Sequence, residues 1–402
     1  MKIGFFTDTY FPQVSGVSTS IRTLKQELEN LGHDVYIFTT TDPDAKEVEP
    51  RIIRMPSIPF ISFKDRRVVI RGMLYAYHIA KEIDLDIVHT HTEFGVGILG
   101  KQTAKALDIP VVHTYHTMYE DYLHYIAKGK VLRPIHVKQL SKLYTNHMSG
   151  IICPSQRVVN KLEEYGIERP MSVIPTGINV SQFKPVEQEL IDNVRRKYGI
   201  SDEECLLLSV SRISYEKNIQ TILNGMPKIY EAIPNVKLLI VGDGPFKSKL
   251  EKQVDELALN DVVIFAGEIP NKDISPFYQA ADYFVSASDS ETQGLTYTEA
   301  MAAKTKVVAK GNEYLDGLFD DPSLGMTYVE NNEFAETLIN YVAQNIPANQ
   351  TILEDKLYDI SSEAFGKRVE SFYQEAVAYF DENHQEYEED DASLYSLKLF
   401  KK

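Results

Sequence analysis

The segment whose residue types and spacing speak most directly of chemistry is Ser290-Glu291-Thr292-Gln293-Gly294-Leu295-Thr296-Tyr297-Thr298-Glu299-Ala300-Met301-Ala302. Gly294 lets the chain turn sharply before a helix, so the N–H groups of Gly294 and Leu295 can point at phosphate or sugar oxygens at the positive helix end. Glu291 falls in the loop and Glu299 one turn into the helix, where the two carboxylates can accept hydrogen bonds from separate sets of hydroxyls. Taken singly, Glu299 reads as a solvated helical glutamate. Upstream, the apolar run Leu206-Leu207-Leu208-Ser209-Val210 gives way to Ser211-Arg212-Ile213-Ser214-Tyr215-Glu216-Lys217-Asn218. Arg212 and Lys217 then sit at a strand-to-helix turn, where two cations can bracket a diphosphate; by themselves they read as solvated surface cations. Gly16 opens the first helix and could let a backbone N–H approach a phosphate, or serve as a simple cap. His113 and His116 follow a strand end, which favours a site over a purely structural role.

The elements that must position these residues are short apolar strands alternating with amphipathic helices. In the first part, residues 3–7, 35–39, 87–89, 111–113, 151–153 and 172–174 read as strands. Val17, Ile21, Leu24, Leu28 and Leu31 recur at helical spacing between the first two, and Gly32 falls where a left-handed cap is expected. A second series follows at 205–210, 237–241, 262–266, 283–287 and 307–309, with helices near 218–231, 245–259, 271–280 and 295–303. Strands apolar throughout, rather than alternating, fit parallel sheets covered on both faces. The fold class is α/β, two doubly wound domains in tandem, with a polar linker around 179–189. In such sheets ligands bind beyond the carboxyl ends of the strands, which is where all of the residues above lie.

Bulk properties bound the function. At 402 residues the chain exceeds one ordinary core, and 43% hydrophobic with 25% charged residues is soluble globular usage. The first residues read as a strand rather than a signal peptide, and no apolar run is long enough to span a bilayer. Cys153 and Cys205, both in strand patterns, predict neither a disulfide nor a zinc site. Asp84-Leu85-Asp86 has the form of a metal-binding pair but precedes a strand, at the wrong end of the sheet; no metal and no cofactor is expected. Residues 1–185 hold 22 Lys and Arg against 19 Asp and Glu, and the remainder 20 against 39. This split fits a first half that faces an anionic surface, or simply two domains with unrelated surfaces. The acidic residues Glu386, Glu388, Glu389, Asp390 and Asp391 read as a solvated run.

Together, the paired carboxylates followed by Ala300-Met301-Ala302, the Arg212 and Lys217 pair, and the glycine-containing first loop resemble the retaining GT-B glycosyltransferases of family four. Ser155, Val173-Ile174-Pro175-Thr176-Gly177 and Val241-Gly242-Asp243-Gly244-Pro245 fall where that family has comparable segments. His113-Thr114-Tyr115-His116-Thr117-Met118-Tyr119-Glu120 and Glu291-Thr292-Gln293-Gly294-Leu295-Thr296 look, within it, like bacterial 1,2-diacylglycerol glucosyltransferases. The sequence departs from the family at Lys304-Thr305-Lys306, where Gly and Pro are usual, and near Gly311-Asn312-Glu313-Tyr314, which lacks paired glycines.

The resemblance implies two Rossmann-like domains facing each other across a cleft: 1–180 for the acceptor and membrane, 181–375 for the nucleotide-sugar, and 376–402 as a C-terminal helix returning to the first. It implies that Glu299 holds the donor ribose, Glu291 contacts the sugar, Arg212 and Lys217 hold the diphosphate, and Gly16 approaches it. Phe265 and Gly267 lie by the nucleobase, and His116 beside the transferred sugar. The expected reaction is retaining transfer of an α-glucosyl unit from UDP-glucose, a substrate rather than a cofactor, to diacylglycerol. The alternatives are a second hexose transfer onto a glycolipid acceptor, or a non-catalytic nucleotide-sugar-binding subunit. A nicotinamide oxidoreductase lacks its glycine fingerprint here, and no nucleic-acid partner is expected. A lipid acceptor calls for peripheral attachment at the cytoplasmic face of the cell membrane. Arg66, Arg67 and Arg71, with Lys128, Lys130 and Arg133, lie among apolar residues suited to an anionic surface, or to an ordinary amphipathic helix.

Overall fold

The computed structural model describes residues 1–13, 15–45, 49–60, 63–69, 72–120, 133–288 and 293–396. The chain divides into two units, Met1–Gly177 joined by the chain from Ser362 onward, and Ile178–Ser361.

The first unit runs β1 (Lys2–Phe6), α1 (Gly16–Asn30), β2 (Asp34–Thr40), β3 (Ile52–Met55), β4 (Ser57–Phe60), β5 (Phe63–Val69), α2 (Met73–Ile83), β6 (Ile87–Thr90), α3 (Gly95–Leu107), β7 (Val111–Thr114), α4 (Pro134–Thr145), β8 (Gly150–Cys153), α5 (Gln156–Glu164) and β9 (Met171–Val173). Seven of these strands form one sheet in the order β3-β2-β1-β6-β7-β8-β9, with every neighbouring pair parallel. β1 and β6 are buried almost throughout, as a doubly covered sheet requires. α1 starts on a capping box in which Ser15 and Ser18 exchange side-chain-to-backbone hydrogen bonds. Its end is turned by Gly32 at φ 88°.

The second unit runs α6 (Gln188–Lys197), β10 (Cys205–Val210), α7 (Ile219–Ala232), β11 (Val236–Val241), α8 (Lys247–Glu256), β12 (Val263–Gly267), α9 (Ser275–Ala280), β13 (Tyr283–Ser286), α10 (Leu295–Ala302), β14 (Lys306–Lys310), α11 (Glu313–Leu318), β15 (Gly325–Tyr328), α12 (Phe334–Gln344) and α13 (Gln350–Asp359). Its sheet has the order β12-β11-β10-β13-β14-β15, again all parallel. Both sheets are wound outward in two directions from a central strand, so the expected class holds.

Four strands, β3, β4, β5 and β15, escaped the sequence patterns. β3 and β15 lie at sheet edges, where one-sided cover weakens the apolar run. The basic stretch at 64–71 is in its described part an antiparallel hairpin strand, β5 against β4, whose charged residues conceal the alternation.

The second unit also ends earlier than residue 375. Ile178 N–H donates to the Ile360 carbonyl at 2.9 Å, closing that unit where it began. From Ser362, α14 (Ser362–Ser396) belongs to the first unit, as Phe365, Val369, Phe372, Tyr373 and Ala376 recur on one helical face. They pack into a core with Ile3, Phe5, Ile21, Leu24 and Leu28. The approach is close: a Cβ on Gly150 would stand 2.5 Å from the Phe372 ring. Truncation by Phe372→Ala is expected to cost the first unit about 3–5 kcal/mol, the range for emptying a buried phenylalanine site, read as a lower urea midpoint for that unit's unfolding transition.

Candidate functional site

In the second unit the loops after β10, β11 and β12 are stitched together at the carboxyl edge. Ser211 N–H donates to the Val241 carbonyl at 3.1 Å, Ile213 N–H to Asp243 at 2.9 Å and Gly242 N–H to Gly267 at 2.8 Å. The approach tolerates no side chain at two positions: a Cβ on Gly242 would lie 1.9 Å from the Ser211 carbonyl oxygen, and one on Gly244 2.2 Å from that of Ile213. Gly242 also has φ 135°. The stitching fixes the turn that carries Arg212, whose side chain is exposed. Among the described residues its guanidinium has no ion-pair partner. Lys217 closes a single turn of 3-10 helix, Tyr215–Lys217, and Asn218 at φ 53° then redirects the chain into α7. Both cations therefore stand at the strand-to-helix turn, as expected. Phe265 lies in β12, half-buried against the core, and Gly267 ends that strand at φ 75°.

Gly294, at φ 80°, is the residue from which α10 starts, and Leu295 is its first residue. Glu299 is not a solvated helical glutamate, because it is 8% exposed. Tyr278 donates its hydroxyl proton to Glu299 Oε2 at 2.7 Å. Burial raises the Glu299 pKa, opposed by hydrogen bonds from Tyr278 and Asn271. Glu291 lies outside the described residues. Lys304, in the segment that departs from the family's usual Gly and Pro, takes up φ 65°, a conformation that costs a non-glycine residue strain. Thr305 next to it donates to the Tyr278 carbonyl of α9 at 2.6 Å.

In the first unit, the carboxyl ends of β1, β6 and β7 converge on buried polar groups. Asp8 accepts from Thr92 Oγ1 at 2.5 Å and from Val96 N at 2.9 Å, so it caps α3. Burial raises its pKa. His113 is 0% exposed. It contacts Thr90 Oγ1 through Nδ1 at 2.9 Å, and Glu93 Oε1 through Nε2 at 3.1 Å. Tyr119 donates to the other oxygen of Glu93. His116 Nε2 lies 3.1 Å from His91 Nδ1, and burial with the neighbouring His113 pushes the His116 pKa down to about 3. His91 in turn stacks on His89 at 4.0 Å between ring centres. His89 is held by Tyr373 and Thr114, each at 2.7 Å. His113 and His116 are therefore two of four clustered histidines. His89 and His91 are two apart at the end of β6, and so face the same way; that spacing was the available signal. The contribution of Tyr373 from α14 left none.

Gly16 is the first residue of α1, and a Cβ there would meet nothing within 4 Å, so the unit's own packing does not demand glycine. Among the cationic residues, Arg67 is turned back onto its hairpin, donating to Ser57 Oγ at 3.0 Å and to the Ser57 carbonyl at 2.8 Å. Arg133 precedes α4 and is exposed. Arg71, Lys128 and Lys130 lie outside the described residues, as does the side chain of Arg66. Asp84 and Asp86 lie at the amino edge of the sheet, where Asp86 accepts from Lys2 N at 2.6 Å. Among the described residues no group of three His, Cys, Asp or Glu side chains is arranged to hold a metal ion, and no helix is long and apolar enough to cross a membrane.

Residues 14–182 match the model for Glycosyltransferase Family 4, and residues 191–353 that for Glycosyl transferases group 1. The chain is 50% identical over 380 residues to an alpha-monoglucosyldiacylglycerol synthase of Streptococcus pneumoniae, covering 94% of this chain and 86% of that protein. It is 35% identical to an Acholeplasma laidlawii protein of the same name, covering 92% of this chain and 94% of the relative. Among solved structures, sucrose-phosphate synthase from Thermosynechococcus elongatus superposes with a TM-score of 0.74 at 21% identity, covering 94% of this chain and 99% of that one. That likeness is one of fold.

The buried Glu299 has a measurable signature. Its folded pKa is raised above the ordinary 4.5, so between the two values the folded protein holds a proton that the unfolded chain has released. In that window stability falls as pH rises, and above it the full cost of the buried charge is present. Glu299→Gln removes the charge and keeps an acceptor for Tyr278. The variant is expected to show a higher urea midpoint than the parent at about pH 7.5, with the advantage vanishing as the pH approaches the ordinary carboxylate value. Identical midpoints across that range would sink the assignment of a buried charge.

Proposed function

The chain belongs to the family-four glycosyltransferases, and we propose that it transfers an α-glucosyl unit from UDP-glucose to the free hydroxyl of 1,2-diacylglycerol with retention at the anomeric carbon. The observation that carries this reading is the 50% identity, over 94% of the chain, to a protein named for making that glucolipid.

On this reading the second unit takes the donor. Arg212 and Lys217 hold the diphosphate, and the N–H groups of Gly294 and Leu295 add to them at the positive end of α10. Glu299, oriented by Tyr278, accepts from the ribose hydroxyls; Glu291 accepts from the sugar; Phe265 and Gly267 flank the base. The first unit takes the acceptor, with His116 beside the transferred sugar and the open space at Gly16 available to a phosphate. As the bond from the anomeric carbon to the diphosphate oxygen breaks, the acceptor oxygen bonds to that carbon on the same face. The departing diphosphate takes the acceptor's proton, so no carboxylate need act as base. Charge building on the diphosphate is then the main quantity to stabilise, which is the task of Arg212, Lys217 and the backbone donors.

A lipid acceptor must be reached from water. α4 supports this, since Ile135, Leu140 and Leu143 are 51%, 59% and 71% exposed while Lys142 lies exposed among them. An apolar face bordered by cations suits the surface of an anionic leaflet, where each cation contributes on the order of 1 kcal/mol. The proposed location is peripheral, on the cytoplasmic face of the cell membrane. Arg67, bonded within its hairpin, is not part of this surface reading.

Incubation with labelled UDP-glucose and diacylglycerol in mixed micelles should yield a labelled monoglucosyl lipid. Product formed only when monoglucosyldiacylglycerol replaces diacylglycerol would shift the assignment to the second transfer step. Arg212→Ala is expected to lower kcat by at least about 100-fold, the scale for losing a group that stabilises developing charge, and Glu291→Ala by about 100-fold through misplacement of the sugar it holds, with circular dichroism unchanged in both. Replacing Leu140 and Leu143 together by Ser is expected to weaken binding to vesicles containing phosphatidylglycerol by about 10-fold or more, since each exposed leucine that enters the interface contributes on the order of 1 kcal/mol. Sedimentation with the vesicles reads this directly.

A further inference from the structure

The contact between His91 and His116 determines more than the distance itself. A neutral imidazole has one N–H and one bare nitrogen, so two neutral rings joined through a single N···N contact must divide the roles of donor and acceptor. Both rings are neutral: burial holds His91 well below the ordinary histidine range and His116 near 3. Two tautomer pairs satisfy the 3.1 Å contact between His91 Nδ1 and His116 Nε2. In one, His116 Nε2–H donates, and the His91 proton must sit on Nε2. In the other, His91 Nδ1–H donates, and the His116 proton sits on Nδ1.

The surroundings of His91 choose between them. His91 is 2% exposed, and its Nε2 is buried without a hydrogen-bond partner among the described residues. A buried N–H with nothing to donate to is costlier and rarer than a buried lone pair with nothing to accept. The first pair would strand an N–H at that nitrogen; the second strands only a lone pair. The ring cannot readily turn to relieve it, because it stacks on His89 at 4.0 Å and meets the Phe5 edge at 4.8 Å. His89 is itself pinned at both nitrogens by Tyr373 and Thr114.

We propose that His91 is a positioning residue that holds His116 in the neutral tautomer protonated on Nδ1, leaving that N–H as the donor His116 offers to an oxygen of the transferred sugar. The role at the sugar rests on the proposed glucosyl transfer; the tautomer does not. With its Nε2 occupied as an acceptor, His116 cannot serve as a base through that nitrogen, and it meets the sugar as a fixed hydrogen-bond donor. The pin on His89 carries this arrangement back to Tyr373 in α14.

Long-range proton–nitrogen NMR correlation of the full chain labelled with 15N-histidine separates protonated from bare ring nitrogens. The His116 signals are identified by their loss in His116→Gln. In the ligand-free parent, His116 is expected to show a protonated Nδ1 and a bare Nε2; the reverse pattern overturns the proposal. His91→Phe keeps an aromatic ring in the stack but no donor, and is expected to move His116 away from the pure Nδ1–H form and to lower kcat about 10-fold with little change in KM for diacylglycerol. His91→Asn returns an N–H near the Nδ1 position and should restore the tautomer and most of the rate. An unchanged kcat in His91→Phe would overturn the role at the sugar. If either variant fails to fold, the parent spectrum still decides the tautomer. No sugar or lipid is present in that spectrum, so its outcome is independent of whether the chain makes a glucolipid.

Discussion

A parallel sheet buried on both faces has no solvated side, and its interior strands can present polar groups only beyond their ends. In each unit of this protein the strands around β1 and β10 are apolar and almost fully buried. The carboxyl edge is where their chains enter helices amino end first, so backbone N–H groups and helix dipoles gather there. Arg212, Lys217, Gly294 and Glu299 in one unit, and Gly16, His91, Glu93 and His116 in the other, all follow from that constraint. Asp84 and Asp86, at the opposite edge, are spent on holding the first residues of the chain.

The two edges are built differently. In the second unit the loops are bonded to one another through their backbones, with Gly242 and Gly244 allowing an approach that any side chain would block. A rigid backbone then carries an exposed Arg212, which leaves the charge available. Glu299 is the counterpart: a carboxylate taken from water and kept usable by Tyr278 and Asn271, at a cost in stability. In the first unit His89, His91 and His116 are instead sunk into the protein and kept neutral. Burial lowers the pKa of His89, His91 and His116 together, so a cluster that would repel itself as cations packs as a stack of neutral rings. One edge is suited to holding an anion, the other to offering directed hydrogen bonds from neutral histidine rings.

The return of the chain at Ser362 ties these features together. Phe365, Val369, Phe372 and Tyr373 complete the core of the first unit, and the Tyr373 hydroxyl reaches a histidine 284 residues away in sequence. The last helix is therefore part of the support of the histidine stack rather than an appendage.

By itself the sequence determined the alternation of strands and helices, the two doubly wound halves, and the turns that carry Arg212, Lys217, Gly294 and Glu299. These are local matters: apolar runs, helical spacing and turn-forming residues report which face of a segment is buried and where it ends. The resemblance to family-four glycosyltransferases rested on the same short segments. The hairpin of β4 and β5, the edge strands β3 and β15 and the return at Ser362 were harder, because edges and crossings blur the periodic signal. Only the tertiary structure decided that Glu299 is buried against Tyr278, that Arg67 folds back on Ser57, and that His91 stands between His89 and His116. Periodicity says that a side chain is inside but is silent on which group it meets there, and those meetings bear on the pKa of Glu299 and on which ring nitrogens of the histidines are partnered.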